Sequence, residues 1–281
     1  MRFGLDLTIF GEYADPNLLA DVAVAAEGAG WDGFFLWDHL ATDHEPEATD
    51  PWIALSAAAV RTERLILGPM VTPLARRRMT KLARETVALD HLSGGRLILG
   101  VGLGAHDERE FAAFGDEADP RIRARILDES LALLDRLWSG EPVDFEGEYI
   151  HAVTEPFLPR PLQRPRIPIW VAGTWPNKRP MRRAAAWDGV FPLKAGAGFE
   201  YQMTAAEMSE VREFVEAERQ DDGPFDLVHA GLLSGEPEAD SRLVAPYAEA
   251  GVTWWHEHIY PGRMSVAELR DFIRLGPPRT S

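Results

Sequence analysis

The chain has 281 residues, 46% of them hydrophobic, with 29 basic against 45 acidic side chains and a formal net charge of −16. Such acidity repels phosphate backbones, so no nucleic-acid partner is expected. The absence of cysteine excludes disulfides, thiolate metal sites, iron–sulfur clusters and a catalytic thiol.

Hydropathy then alternates short β-rich runs with longer helical ones. Phe3 to Ile9 reads as a strand, and Pro16 to Gly30 as a helix with Leu18, Leu19, Val22 and Ala26 on one face. Gly33 to Trp37 is the second strand, Pro51 to Arg61 a helix, and Arg64 to Met70 the third strand. Thr80 to Leu92 is an amphipathic helix, which Ser93-Gly94-Gly95 ends with residues suited to a left-handed cap. Arg96 to Val101 is the fourth strand, followed by a long helical stretch from Asp107 to Trp138 that Asp119-Pro120 splits. Pro142 to Ile150 reads as a hairpin, and Pro156 to Pro168 as an extended connection. Strands five to eight fall at Ile167 to Ala172, Asp188 to Leu193, Phe225 to Gly231 and Val252 to His256. Helices follow at Arg179 to Trp187, Thr204 to Gln220, Pro237 to Ala250 and Ser265 to Leu275.

Eight such units imply parallel strands joined by right-handed crossovers, and eight can close into a (β/α)8 TIM barrel. An open doubly wound sheet is the rival, but no Gly-rich turn follows the first strand. We therefore expect one barrel domain, α/β in class, over residues 1–281. No run of about 18 apolar residues exists to span a membrane. Asp6 stands where a signal peptide needs its apolar core, so a cytoplasmic protein is expected.

In a barrel, chemistry gathers where strands end. His39, after the second strand in Trp37-Asp38-His39, is placed to transfer a proton near neutral pH, or else it is a hydrogen-bonded structural residue beside a capping Asp. Gly68-Pro69-Met70-Val71 enforces an irregular end on the third strand, either an ordinary loop or a backbone ledge under a flat ring. Gly102 and Gly104 end the fourth strand and allow a ligand to approach the backbone. Gly173, Thr174, Asn177, Lys178 and Arg179 follow the fifth strand. They read as a phosphate cradle at a helix N-terminus, or as a solvated basic loop. Trp37, Trp52, Trp175 and Trp254 read as aromatic walls of the mouth that bind substrate. Alternation puts His256 and His258 on one side of the eighth strand, but no further ligand set accompanies them, so no metal site is expected.

The run from Leu82 to Gly104, with Leu92-Ser93-Gly94-Gly95-Arg96 at its centre, closely resembles the luciferase-like flavin-dependent oxidoreductases. So do Ala26 to Gly33 with Trp37-Asp38-His39, and Ile167 to Gly173. The resemblance covers nearly the whole chain. It implies a (β/α)8 barrel, a homodimer built on the barrel flank, and a cofactor that is either reduced FMN or the deazaflavin F420. It also implies a bulge at Met70-Val71, often with a non-prolyl cis peptide, supporting the ring near His39, Val71 and Gly102 to Gly104. His39 matches an active-site His of several members. One departure matters: the family's F420-dependent sugar-phosphate dehydrogenases carry a catalytic Glu just after the fourth strand, where this chain has Ala105, followed by His106 and Asp107.

The expectation drawn from all this is a monooxygenase. It would act on a small apolar or aromatic organic substrate with O2 and reduced FMN from a partner flavin reductase, with His39 as proton donor. The alternatives are an F420-dependent reductase or dehydrogenase moving hydride to or from an organic substrate, and a non-catalytic flavin-binding barrel.

Overall fold

The computed structural model of the protein describes all residues except 41–46, 106, 197, 199–201 and 279–281. Its first half holds strands β1 (Arg2–Leu7), β2 (Gly33–Leu36), β3 (Ile66–Pro69), β4 (Thr72–Pro73) and β5 (Leu99–Gly102), with helices α1 (Pro16–Ala29), α2 (Pro51–Ala59), α3 (Met79–Ser93) and α4 (Pro120–Ser139). A hairpin, β6 (Val143–Glu146) and β7 (His151–Thr154), follows. The second half holds β8 (Ile169–Trp175), β9 (Gly189–Lys194), β10 (Asp226–Gly231) and β11 (Trp254–Ile259), with α5 (Lys178–Ala185), α6 (Ala205–Glu218), α7 (Pro237–Glu249) and α8 (Val266–Leu275).

The strands run in the order β3-β2-β1-β11-β10-β9-β8-β5-β4, all in parallel. The ring closes where Leu67 bridges Leu97. There the Leu67 amide donates to the Arg96 carbonyl at 3.0 Å, and the Ile98 amide to the Leu67 carbonyl at 2.8 Å. β3 and β4 are thus one barrel strand interrupted at Met70-Val71, and the eight expected βα units form the expected (β/α)8 barrel.

Local sequence explains several helix starts. Asp-Pro occurs at 15–16, 50–51 and 119–120, each time as an N-cap followed by the first helical residue. The Asp carboxylate accepts an amide of the first turn, and the proline has no N–H to satisfy. The carboxylates accept from Asn17, Ile53 and Arg121 at 2.8, 2.9 and 2.7 Å. The left-handed cap expected after α3 is present, with Gly94 at φ 69°.

Several expected boundaries differ, among them the fifth barrel strand, which runs Ile169–Trp175 rather than Ile167 to Ala172 and so takes in Gly173 and Thr174. The stretch from Asp107 is not helical throughout: a π-type turn (Asp107–Phe111) and a 3-10 turn (Ala112–Phe114) precede α4. The hairpin's second strand extends past Ile150, to Thr154. The last barrel strand starts at Trp254 rather than Val252 and ends at Ile259, not His256.

Alternation divides each strand between two apolar clusters. One face, including Leu5, Phe34, Leu67, Leu99, Val171 and Trp255, packs on the surrounding helices. The other fills the lumen with Phe35, Trp170, Phe191 and Trp254. Phe35 lies 5.5 Å from Trp170 and 5.7 Å from Trp254 between ring centroids, so aromatic rings plug the barrel's lower half.

One buried base sets an acid limit on this fold. His229 on β10 is wedged against Tyr247 and Trp255, at 4.4 and 4.9 Å between centroids, and its Nε2 has no partner among the described residues. Burial pushes His229 down to about 3, from the usual 6.5. The unfolded chain therefore binds an extra proton between those values, and stability falls as pH drops through that window, by about 5 kcal/mol at most. His229→Phe is expected to flatten the decline in melting temperature between pH 6.5 and pH 4. An unchanged acid slope in that variant removes His229 as its cause.

Candidate functional site

The site grows from charged side chains that strand-end loops bring under cover. Asp38 follows β2, Arg76 and Arg77 follow β4, and Glu110 lies in the π-type turn after β5. The Arg76 side chain is 3% exposed and sits between Asp38 and Glu110, both almost fully buried. Its guanidinium lies 2.6 Å from Glu110 Oε2 and 2.9 Å from Asp38 Oδ1. Arg77 Nη2 lies 2.6 Å from both Asp38 oxygens. The Thr72 hydroxyl also donates to Asp38 at 2.8 Å, and the Trp52 indole at 3.4 Å. Two carboxylates facing two guanidiniums satisfy the rule that buried charges must be paired.

His39 hangs on this network. Its Nδ1 lies 2.9 Å from Glu110 Oε1, and the Leu40 amide donates to the same oxygen at 3.0 Å. Burial pushes the Glu110 carboxyl up, but the His39 hydrogen bond and charge, with the Arg76 charge, outweigh it and hold Glu110 down to about 2. Glu110 is therefore an ionised carboxylate at any working pH and fixes the orientation of the His39 ring.

The interrupted strand pairs with β2, which ends three residues before His39. From Leu67 to Thr72 the chain advances five residues, while its partner advances four, from Leu97 to Val101. That extra residue is a β-bulge. The Met70-Val71 peptide within it is cis, as the resemblance implied. A Cβ on Gly102 would meet Val71 Cγ2 at 2.7 Å and Ala172 Cβ at 3.6 Å, so the three pack side by side. Val71, Gly102 and Ala172 thus make a shelf of small groups above the aromatic plug.

The remaining expected residues divide between this mouth and other places. Trp37 is buried at the mouth, with its ring 5.7 Å from His39. Trp52 is buried in the outer core and reaches the site only through Asp38. Trp254 corrects its expected place: it begins β11 in the barrel's lower half, stacked edge-on to Trp170 at 5.4 Å. The late start of that strand moved it away from the mouth. Trp175 points outward against Phe214, with the Lys178 ammonium 3.4 Å over its ring. That places Lys178 on the helix side rather than over the mouth. Gly173 also faces a helix, since a Cβ there would sit 2.2 Å from Pro180 Cβ. Asn177 caps α5 by accepting from the Arg179 amide at 3.3 Å. Thr174 and Arg179 are exposed. Gly104, at φ 78°, makes room for the Phe111 ring, which a Cβ would meet at 2.7 Å.

His256 points into the lumen and stacks on Phe35 at 4.2 Å. Among the described residues no group of three His, Asp or Glu side chains is placed to hold a metal. His106 lies outside the described residues. No described helix is long and apolar enough to cross a membrane.

Sequence reading did not single out Glu110, Arg76 or Arg77. The Arg76-Arg77-Arg78 run near a strand end was the available signal, but its buried carboxylate partners lie 34 and more residues away in sequence.

Comparison with known proteins agrees with this architecture. The family profile described as luciferase-like monooxygenase matches residues 1–259. The chain is 38% identical over 183 residues to the F420-dependent glucose-6-phosphate dehydrogenase of Nakamurella multipartita, a match that covers 63% of this chain and 51% of that protein. The protein of the same name from Microbacterium testaceum is 36% identical over 183 residues, covering 63% and 52%. The chain thus spans about half the length of these curated relatives. Among solved structures, the coenzyme F420-dependent tetrahydromethanopterin reductase from Methanopyrus kandleri superposes with a TM-score of 0.78 at 18% identity, covering 98% of this chain and 96% of that one. A monooxygenase from Streptomyces bottropensis superposes with a TM-score of 0.75 at 22% identity, covering 98% and 97%. The profile match takes in all eight barrel strands, and this chain belongs to the luciferase-like monooxygenase family.

Proposed function

We propose that this chain is an F420-dependent oxidoreductase that moves a hydride between the deazaflavin and the carbinol or carbonyl carbon of a small, uncharged organic substrate. The observation that carries this reading is the carboxylate-held His39 after β2, at the same strand-end face as the shelf of Val71, Gly102 and Ala172. Two named relatives depend on F420, which favours the deazaflavin over FMN. The residues present fit a flat ring: small groups from neighbouring strand ends lie side by side, and a Cβ on Gly102 would intrude on them. Thr174 and Arg179, exposed at the end of β8 and start of α5, would hold the cofactor's phosphate.

When bound, such a cofactor supplies the two-electron chemistry. His39 exchanges the proton of the substrate oxygen. Glu110 holds the His39 ring, and His39 and Arg76 together keep Glu110 ionised and in place. The aromatic plug beneath excludes water from the reacting atoms. Ala105 stands where the resemblance puts the catalytic Glu of sugar-phosphate dehydrogenases, which argues for a substrate other than glucose 6-phosphate.

Fluorescence-quench titrations with F420 and with FMN, each oxidised and reduced, test the reading. F420 is expected to bind at least tenfold more tightly than FMN, a difference of about 1.4 kcal/mol. Tight reduced FMN with no F420 binding would turn the assignment to the oxygen-dependent monooxygenase that the family's description names. Binding of neither sinks the proposal. His39→Ala is expected to lower turnover by roughly 10²–10⁴-fold with cofactor affinity unchanged. Unchanged turnover removes His39 from the mechanism.

A further inference from the structure

The lumen carries a second carboxylate–imidazole pair. Asp6 on β1 and His258 on β11 are register partners on neighbouring strands, and His258 Nδ1 lies 3.0 Å from Asp6 Oδ2. Their side chains are 1% and 9% exposed. Trp37 lies between this pair and the first, with its ring centroid 5.1 Å from His258 and 5.7 Å from His39. Two carboxylate-held imidazoles therefore bracket one indole at the barrel mouth.

Folding alone gives no reason for a carboxylate here. The lumen is otherwise filled with apolar and aromatic rings, and burying an ionisable pair gains little over packing hydrophobic side chains of similar volume. Asp6 Oδ1 and the Thr8 hydroxyl, two residues on, are buried without a partner among the described residues. Polar atoms left so are a cost that a functional role would offset.

The two carboxylates also differ. Glu110 is held down by the His39 hydrogen bond and charge together with the Arg76 charge, whereas burial raises Asp6, with the His258 hydrogen bond and charge and the Trp37 indole pulling it back. Carboxyl groups whose environments push them apart take different parts in proton transfer. Among the described residues, the other titratable groups around His258 include His256 below it, His229 on β10, Tyr260, His39 across Trp37, and Arg263, which donates to the His258 carbonyl. Burial keeps His256 and His229 uncharged near neutrality, so neither competes with the pair.

We propose that Asp6–His258 is a second proton-handling pair of the redox site, serving the ring of the bound cofactor while His39–Glu110 serves the substrate oxygen. The proposal rests on the flavin-type reading above. In the oxidising direction the substrate C–H bond breaks and its electron pair leaves as hydride to the ring. The substrate O–H proton passes to His39. The ring, made more basic by two electrons, takes a proton from His258 Nε2, and the Asp6-held imidazole recovers one from solvent.

Two measurements that do not require the natural substrate test this. Histidine-selective NMR of the full chain follows the His258 ring, assigned by its loss in His258→Gln. It is expected to shift when F420 is added and to titrate differently in Asp6→Asn. Stopped-flow borohydride reduction of the bound cofactor against pH is expected to be slower by roughly 10²-fold and to lose its pH slope in His258→Gln, with affinity within threefold of the parent. If F420 or FMN binds and the His258 resonance and the pH slope are both unchanged, the pair is structural and the proposal is overturned. If neither cofactor binds, the flavin-type reading falls and takes this one with it. Thermal melts of both variants identify any that fail to fold, and Asp6→Asn then carries the test without the imidazole change.

Discussion

Arg76→Met is expected to unfold at a much lower denaturant midpoint than the parent, with a loss of about 3–5 kcal/mol. The reason is the company Arg76 keeps. Among the described residues it is the one side chain that bonds to both Asp38 and Glu110, and all three are almost fully buried. Methionine fills similar volume but leaves Glu110, among the described residues, with only His39 and the Leu40 amide. Asp38 keeps Arg77, Thr72 and Trp52, so the damage centres on Glu110. The pH dependence carries the signature. In the parent Glu110 is held down to about 2, against an ordinary 4.5. The unfolded chain takes up its proton first, so Glu110 contributes stability above pH 4.5 that is lost as pH falls toward 2, about 3 kcal/mol in all. Without Arg76 the Glu110 carboxyl rises toward its ordinary value, so that acid loss is smaller and ends at a higher pH. Urea titrations at pH 7, 5 and 4 measure both effects. A variant within about 1 kcal/mol of the parent at every pH would show that Arg76 is not what holds the network together.

Gly100→Ala is expected to cost about 3 kcal/mol or more, and to lower the melting temperature by roughly 6–12 °C. A Cβ at Gly100 would sit 2.3 Å from the Pro69 carbonyl oxygen and 3.0 Å from Met70 Sδ. The first is backbone and cannot rotate away. Gly68 faces the same constraint from the other strand, with a Cβ 2.2 Å from the Ile98 carbonyl oxygen. The two glycines let the interrupted strand and β5 approach closely enough to seat the bulge at Met70-Val71. The added methyl must push β5 away from it, so cofactor affinity is expected to fall along with stability. Gly28→Ala is the control, because Gly28 lies within α1 and a Cβ there has nothing within 4 Å. Alanine at that position is expected to stabilise slightly, by about 0.5–1 kcal/mol. A Gly100 variant that melts with the parent would mean the strand pair relaxes freely.

Two of the runs that carry the family resemblance, Ala26 to Gly33 and Leu92 to Arg96, do structural work at the end of the barrel opposite the site. Arg96, from the Leu-Ser-Gly-Gly-Arg run, donates to the Ala59, Thr62 and Leu65 carbonyls at 2.7–2.9 Å and so ties down the end of α2. Glu27 accepts from the Glu63, Arg64 and Leu65 amides in the loop that enters β3. Asp32 accepts from the Phe3 amide at 2.8 Å. These contacts close helix-to-strand turns, which explains why short runs identified a fold so directly and a reaction so weakly.

The sequence by itself determined the barrel, its helix caps and the position of His39, because hydropathy period, Asp-Pro pairs and terminal glycines act over a few residues. It also placed the irregular strand end at Met70-Val71, since prolines and glycines interrupt pairing wherever they fall. Only the tertiary structure decided what those places do. It took Trp254 away from the mouth, because the last barrel strand runs on to Ile259 and leaves that indole deep in the lumen, and Lys178, because its ammonium sits over the outward-facing Trp175 ring. It brought Arg76, Glu110, Asp6 and His258 to that mouth from four separate segments. Burial then gave them their chemistry, since removing a charged group from water forces it to find a partner, and no local pattern records which distant side chain that partner is.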